Sequence, residues 1–399
     1  MPSEHASGNR HHSILLFAVV LLDMIGFGIV IPILPFISPR LGASDFDIAL
    51  IIATYALCAG LSAPWWGRLS DRIGRKPVLM LCTGGAVIGY LMLAGADSLW
   101  MIFAARAFAG LMAGNFGVAS AMMADITPPA DRARGMGLIG AAFGLGLVLG
   151  PVLGGLLSGP EGSFTLPCLL AGCMSVLAVI AAGVFLPESH HDSAEQRSEQ
   201  QQDRRRLWTV LRESQSRLLL LQFVLHTSSV SAITYLFPLW VFALLGWSAR
   251  EVGIVFGVQG ALMALTQGLL MGRLVKLLGE LPLLRICVCG FFLGLLLAVF
   301  ASTAVFMVGA VLIALTGATL CMPVLNSFVS QRTPPRLRGR MMGAASSATA
   351  VGRVMGPLLA GLLLSSGGFA LAWSLPAAMV FAYALWAFSR WPRRPVPVF

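Results

Sequence analysis

Apolar stretches long enough to cross a bilayer, about 20 residues each, recur from one end of the chain to the other with short polar breaks between them. They fall at 14 to 37, 47 to 66, 77 to 96, 99 to 124, 135 to 158 and 164 to 186, then at 217 to 245, 250 to 272, 281 to 301, 303 to 329, 340 to 366 and 369 to 390. The pattern predicts twelve transmembrane helices, hence an all-α membrane protein. The first stretch is too long for a secretory leader, carries Asp23 and lacks a small-residue cleavage site behind it, so it is expected to remain as the first span.

One polar interruption is much longer than the rest. Residues 188 to 216 hold His190, His191, three glutamines at 200 to 202 and three arginines at 204 to 206. This predicts a cytoplasmic linker between a first bundle, 1–187, and a second, 217–399. The two halves repeat each other. At a constant offset of 206, Thr127, Pro128, Pro129, Arg132, Arg134, Gly146, Gly150, Pro151 and Gly155 recur as Thr333, Pro334, Pro335, Arg338, Arg340, Gly352, Gly356, Pro357 and Gly361. At an offset of 205, Gly67, Arg68, Gly74 and Pro77 recur as Gly272, Arg273, Gly279 and Pro282. Six spans per half is an even number, so both halves enter the membrane in the same direction. Two parallel six-helix bundles follow, with a substrate site expected between them near mid-membrane.

Composition agrees, with 57% apolar residues, 11% charged and a mean hydropathy of +0.84, far from the averages of a water-soluble domain. Lys and Arg crowd into alternate breaks, at 68 to 76, 197 to 217, 332 to 340 and 390 to 394, whereas the opposite breaks hold only Arg40 and Arg250. This bias predicts both termini on the cytoplasmic side. The net charge of +10 therefore belongs to short loops beside anionic lipid headgroups, and the bilayer, not nucleic acid, is the expected partner. The seven cysteines all lie within apolar spans without metal-ligand spacing, which suits small buried residues; no metal site or cofactor is expected.

Between spans two and three runs Gly67-Arg-Leu-Ser-Asp71-Arg-Ile-Gly74-Arg75-Lys76-Pro77. Its glycines permit close approach and turning, and Asp71 and Arg75 set opposite charges where two helix ends meet. This stretch resembles the signature loop of the major facilitator superfamily. Arg106, Gly110 and Gly114 in span four resemble that superfamily's buried arginine followed by glycines. Gly146, Gly150, Pro151, Gly154 and Gly155 in span five resemble its antiporter motif, characteristic of drug/proton antiporters with twelve helices. The physical content of that motif is close helix packing through small residues, and span eleven repeats much of it. The first half is most similar to the tetracycline/proton antiporters, through Leu22-Asp23, Gly26, Pro32 and Leu34-Pro35 and through Ala124-Asp125-Ile126-Thr127. In the second half, a histidine and an aspartate used for coupling in that family correspond to Met263 and Phe291. The resemblance implies a major facilitator fold and a cytoplasmic latch formed by Gly67, Asp71, Arg75 and Asp125. Simple anchoring of the loop is the alternative role for those charges.

A charged side chain at bilayer depth is costly and marks a functional candidate. Asp23 is the one acidic residue well inside a span, and Arg106 lies at a comparable depth, within reach of it. The expectation is that Asp23 alternates between protonated and ionised forms while substrate competes for the cavity; a permanent ion pair with Arg106 is the other possibility. His226 aligns with Asp23 at an offset of 203 and either titrates or packs. Arg353 in span eleven is a candidate for an anionic group of a substrate. Asn115, Gln222, Tyr235, Phe237, Trp240, Gln259 and Asn326 are candidate cavity-lining residues. Their character suggests a small lipophilic substrate that is neutral, zwitterionic or anionic. No HExxH, P-loop or GxSxG motif occurs, so no enzyme is expected. The expectation is a monomeric, proton-coupled exporter of the inner membrane. A proton-coupled importer or a facilitator of the same fold is the rival.

Overall fold

The computed structural model describes residues 3–37, 41–128, 131–159, 163–188, 214–333 and 337–389. Most of the expected linker, the prolines at 129, 334 and 335, Arg40, and the arginines at 390 to 394 lie outside those residues. So do the side chains of Arg132 and Arg134.

The described residues form helices throughout. These are α1 (Ser3–Val30), a short α2 (Leu34–Ile37), α3 (Asp45–Ile73), α4 (Arg75–Ala94), α5 (Leu99–Leu111), α6 (Asn115–Ile126), α7 (Arg132–Leu157) and α8 (Thr165–Phe185). Next come α9 (Ser214–Leu245), α10 (Ala249–Leu265), a π turn at Thr266–Leu270, α11 (Met271–Leu278), α12 (Glu280–Phe300), α13 (Ala304–Arg332) and α14 (Arg338–Phe388). Eleven segments among them are long and apolar enough to cross a membrane. The last runs for 51 residues, about 77 Å at 1.5 Å per residue. That is more than twice a bilayer core, and it is interrupted at Gly368, whose φ of 73° and ψ of −172° are not helical. Dividing it there gives the twelve spans expected. Leu61, Trp100, Leu277, Phe300 and Val305 stand exposed, an apolar surface that suits lipid and not water.

By contact, the chain divides into two units. The first holds α1–α8 together with Phe242–Ala264, and the second holds α9 up to Val241 together with Leu265 onward. The first unit thus takes in the end of α9 and most of α10, which the division at the linker assigned to the second bundle. The reason is local. A Cβ on Gly253 would strike the carbonyl of Pro151, and one on Gly155 would lie 2.6 Å from the carbonyl of Ala249, so α10 packs backbone to backbone on α7.

The internal repeat extends to packing. In the first unit Gly89 of α4 sits on Ala109 of α5, and in the second Gly294 of α12 sits on Ala314 of α13, both members shifted by 205. Cys82, Cys168, Cys287 and Cys321 are buried as expected. Cys58, however, is half-buried, and Cys173 and Cys289 are exposed.

Candidate functional site

Span four is not one helix. α5 ends at Leu111, Met112 to Gly114 form a turn, and α6 begins at Asn115. Interrupting a helix in lipid frees backbone groups that need partners, and span two supplies them. Trp66 Nε1 donates to the Leu111 carbonyl at 2.6 Å, and Ser62 Oγ donates to the Gly110 carbonyl at 3.3 Å. The glycines make the approach possible. A Cβ on Gly110 would lie 2.5 Å from the carbonyl of Tyr55, and one on Gly114 would overlap the Trp66 ring.

The break places Asn115 at the start of α6, and there it meets Asp23. Asn115 Nδ2 donates to Asp23 Oδ2. The amide's orientation is set by its other end, since the Phe116 N–H donates to Asn115 Oδ1 at 3.0 Å. Asp23 is 4% exposed and lies at the seam of two apolar clusters, with Met24 in one and Ile25 in the other. Thr83 Oγ1 lines the same recess as Asp23 and Asn115 and makes no hydrogen bond.

Asp23 and Arg106 do not pair. The two ion pairs among the described residues involve neither of them. The Arg106 guanidinium lies over the Tyr55 ring, 4.2 Å from its centroid, and its Nε has no hydrogen-bond partner. The break in span four is the reason: it ends α5, which carries Arg106, and it is α6 that reaches Asp23. Asn115, expected as a cavity-lining residue, is therefore the partner of the buried carboxylate.

At the other end of α6, Arg75 gathers the charges of the signature stretch. Its Nε lies 3.1 Å from Asp125 Oδ2, and its Nη1 lies 2.6 Å from both Asp71 Oδ1 and Ser70 Oγ. The expected loop is almost absent, because α3 continues to Ile73 and α4 starts at Arg75. The turn is made by Gly74 alone, at a φ of 103°. Gly67 lies inside α3, and a Cβ there would meet nothing within 4 Å, so no close approach among the described residues requires it. Glu188 at the end of span six was not singled out by the sequence. Its Oε1 accepts from the Arg75 N–H at 2.8 Å, a carboxylate at the start of α4.

Glycines of span five pack against the turns of α1 that carry Asp23. Gly146 meets Met24, Gly150 lies against Gly28 and the Ile25 carbonyl, and Gly154 meets the Ile29 carbonyl. α7 runs through Pro151 without interruption. In the second unit Gly352 meets Thr227 and Gly356 meets the Ser228 carbonyl, the same contacts with the α9 partners shifted by 203. His226 therefore occupies the place in its unit that Asp23 occupies in the first. Its ring packs between Phe291 and Tyr383, at centroid distances of 5.7 and 6.0 Å.

Several candidate lining residues are buried. Tyr235 and Phe237 are fully buried, Trp240 packs on Trp373 at 5.0 Å, and Gln222 and Gln259 are buried. Asn326 is half-buried near the C-terminal end of α13, and Arg353 is exposed on α14. The geometry thus brings together two groups, Asp23 with Asn115 and Arg75 with Asp125, and leaves the others dispersed.

The family model described as Major Facilitator Superfamily matches residues 16–270 and again 219–398. The chain belongs to the Major Facilitator Superfamily. It is 31% identical over 367 residues to the class E tetracycline resistance protein of Escherichia coli, covering 88% of this chain and 87% of that one. It is 28% identical over 361 residues to the quinolone resistance protein NorA of Staphylococcus aureus strain COL, covering 89% and 90%. Among solved structures, the human organic anion transporter MFSD10 has the same fold, with a TM-score of 0.72 at 23% identity over 95% of this chain and 99% of that one. As a superfamily member the chain is a multi-pass membrane transporter of small molecules and not an enzyme. In this member the carboxylate at depth is tied to the start of a half-helix, a relation that no spacing in the sequence announces.

Proposed function

We propose that this transporter is a proton-driven exporter. Protons moving down their gradient bind Asp23, and their release accompanies outward movement of a small lipophilic compound by alternating access. The observation that carries this is the Asp23 carboxylate buried in the first unit with Asn115 as its hydrogen-bond donor. A lone acid at that depth, held by a neutral amide and not by a cation, can gain and lose a proton without breaking an ion pair. The similarity to relatives named for tetracycline and quinolone resistance favours an antibiotic-like substrate and the inner membrane as the location. The bias of Lys and Arg favours cytoplasmic termini. The reading takes the chain as a monomer with one Asp23 per transport unit.

Arg75, Asp71 and Asp125 act in this reading as the cytoplasmic latch, and Arg353, exposed on span eleven, as the contact for an anionic group. Flux in proteoliposomes tests the direction. With an imposed pH gradient, substrate should be driven against the proton flow; substrate accumulating with the proton flow would instead make the chain an importer.

A further inference from the structure

We propose that Asn115 is a positioning residue that reads the charge on Asp23 and passes it along α6 to the Arg75–Asp125 pair. This rests on the assignment of Asp23 as proton carrier and of that pair as latch. α6 is a separate rod because span four is broken before it, and carbonyls at the end of α5 are held by Trp66 and Ser62. Its first residue holds Asp23, and its eleventh holds Arg75. The two contacts are about 15 Å apart at 1.5 Å per residue.

Ionised Asp23 receives a charge-assisted hydrogen bond from Asn115 and faces the positive end of α6. A proton on Asp23 removes the charge and weakens both. The hold on α6 relaxes, and with it the geometry of Asp125 against Arg75. The titratable side chains that feel the charge on Asp23 are Cys82 and Tyr90 of α4. Asn115 is the contact from α6, and the spans at 135–157 and 165–185 carry no charged residue. Among the described residues no ion pair competes with Asn115 for the carboxylate. The second unit, which lacks the carboxylate, also lacks the break. α13 is continuous from Ala304 to Arg332, and Gln331 stands at the position of Asp125.

Hydrogen–deuterium exchange of the full chain in nanodiscs tests the proposal. Exchange at residues 120–128, corrected for the intrinsic pH dependence, is measured at pH 8 and pH 5.5. The wild type should loosen about 5-fold or more at low pH, the factor for about 1 kcal/mol of coupling. Asp23→Asn should be loose at both pH values. Asn115→Ala should lose the pH response, and Asn115→Gln, which keeps the donor, should regain part of it. A wild-type response in Asn115→Ala with none in Asp23→Asn would overturn the proposal and leave the proton carrier standing. A wild-type response in Asp23→Asn would overturn the carrier assignment itself.

Reciprocity supplies a second arm that needs no change at Asn115. Asp125→Asn, at the inner end of α6, should raise the pH midpoint of substrate binding by about 0.7 unit or more. An unchanged midpoint overturns the coupling.

Discussion

Asn115 donates to the carboxylate of Asp23 across 92 positions of sequence, and it does so from the first turn of a half-helix. The contact joins the first span to the second half of the fourth, α6. It also explains why Arg106, on α5 before the break, rests on Tyr55 and not on the acid.

The support of the break should be measurable. Trp66→Phe keeps an aromatic ring but removes the donor to the Leu111 carbonyl. An unpaired backbone oxygen at that depth costs about 1–3 kcal/mol. Thermal unfolding in detergent should show the loss, and transport should fall with it.

Packing between spans one and five predicts a contrast between two glycines. A Cβ on Gly150 would lie 2.7 Å from the Ile25 carbonyl and 2.5 Å from the Gly28 Cα, both backbone atoms that cannot turn aside. Gly150→Ala should therefore destabilise by about 1–3 kcal/mol. Gly144→Ala, on the same helix with nothing within 4 Å of the added carbon, should be neutral or gain up to about 1 kcal/mol from helix propensity. A thermal-shift comparison of the two variants suffices.

The Arg75–Asp125 pair is partly exposed, at 19% and 28% of the side chains. Such a pair contributes about 1 kcal/mol or less to stability. Asp125→Asn should leave the melting temperature within about 2 °C yet shift conformational populations by about 2- to 5-fold. Spin labels at the inner ends of spans four and ten would report the shift, and Asp125→Glu should largely reverse it.

Much of the fold was legible because lipid imposes it. Twelve apolar stretches of spanning length give twelve spans, and glycines repeated at fixed offsets mark packing contacts that repeat as well, such as Gly89 on Ala109 and Gly294 on Ala314. Charges were legible where neighbours in sequence pair, as Asp71 with Arg75. Asn115 with Asp23 and Glu188 with α4 were not, because each contact joins helices far apart in the chain. The break in span four was hidden too. It contains no proline, and Gly110 and Gly114 suit a packed helix equally well until Tyr55 and Trp66 are seen against them. The halves also trade charges under a common frame: Glu280, in the place of Arg75, binds Ser327 and Gln331 and, among the described residues, pairs with no cation.

Proton movement on substrate addition tests the central claim most directly. Purified protein is reconstituted in vesicles holding a pH-sensitive dye, and substrate is supplied to the face from which it is exported. Wild type should move protons opposite to substrate, and Asp23→Asn should still exchange substrate across the membrane while moving no protons. Proton movement at the wild-type rate in a folded Asp23→Asn variant would contradict the account.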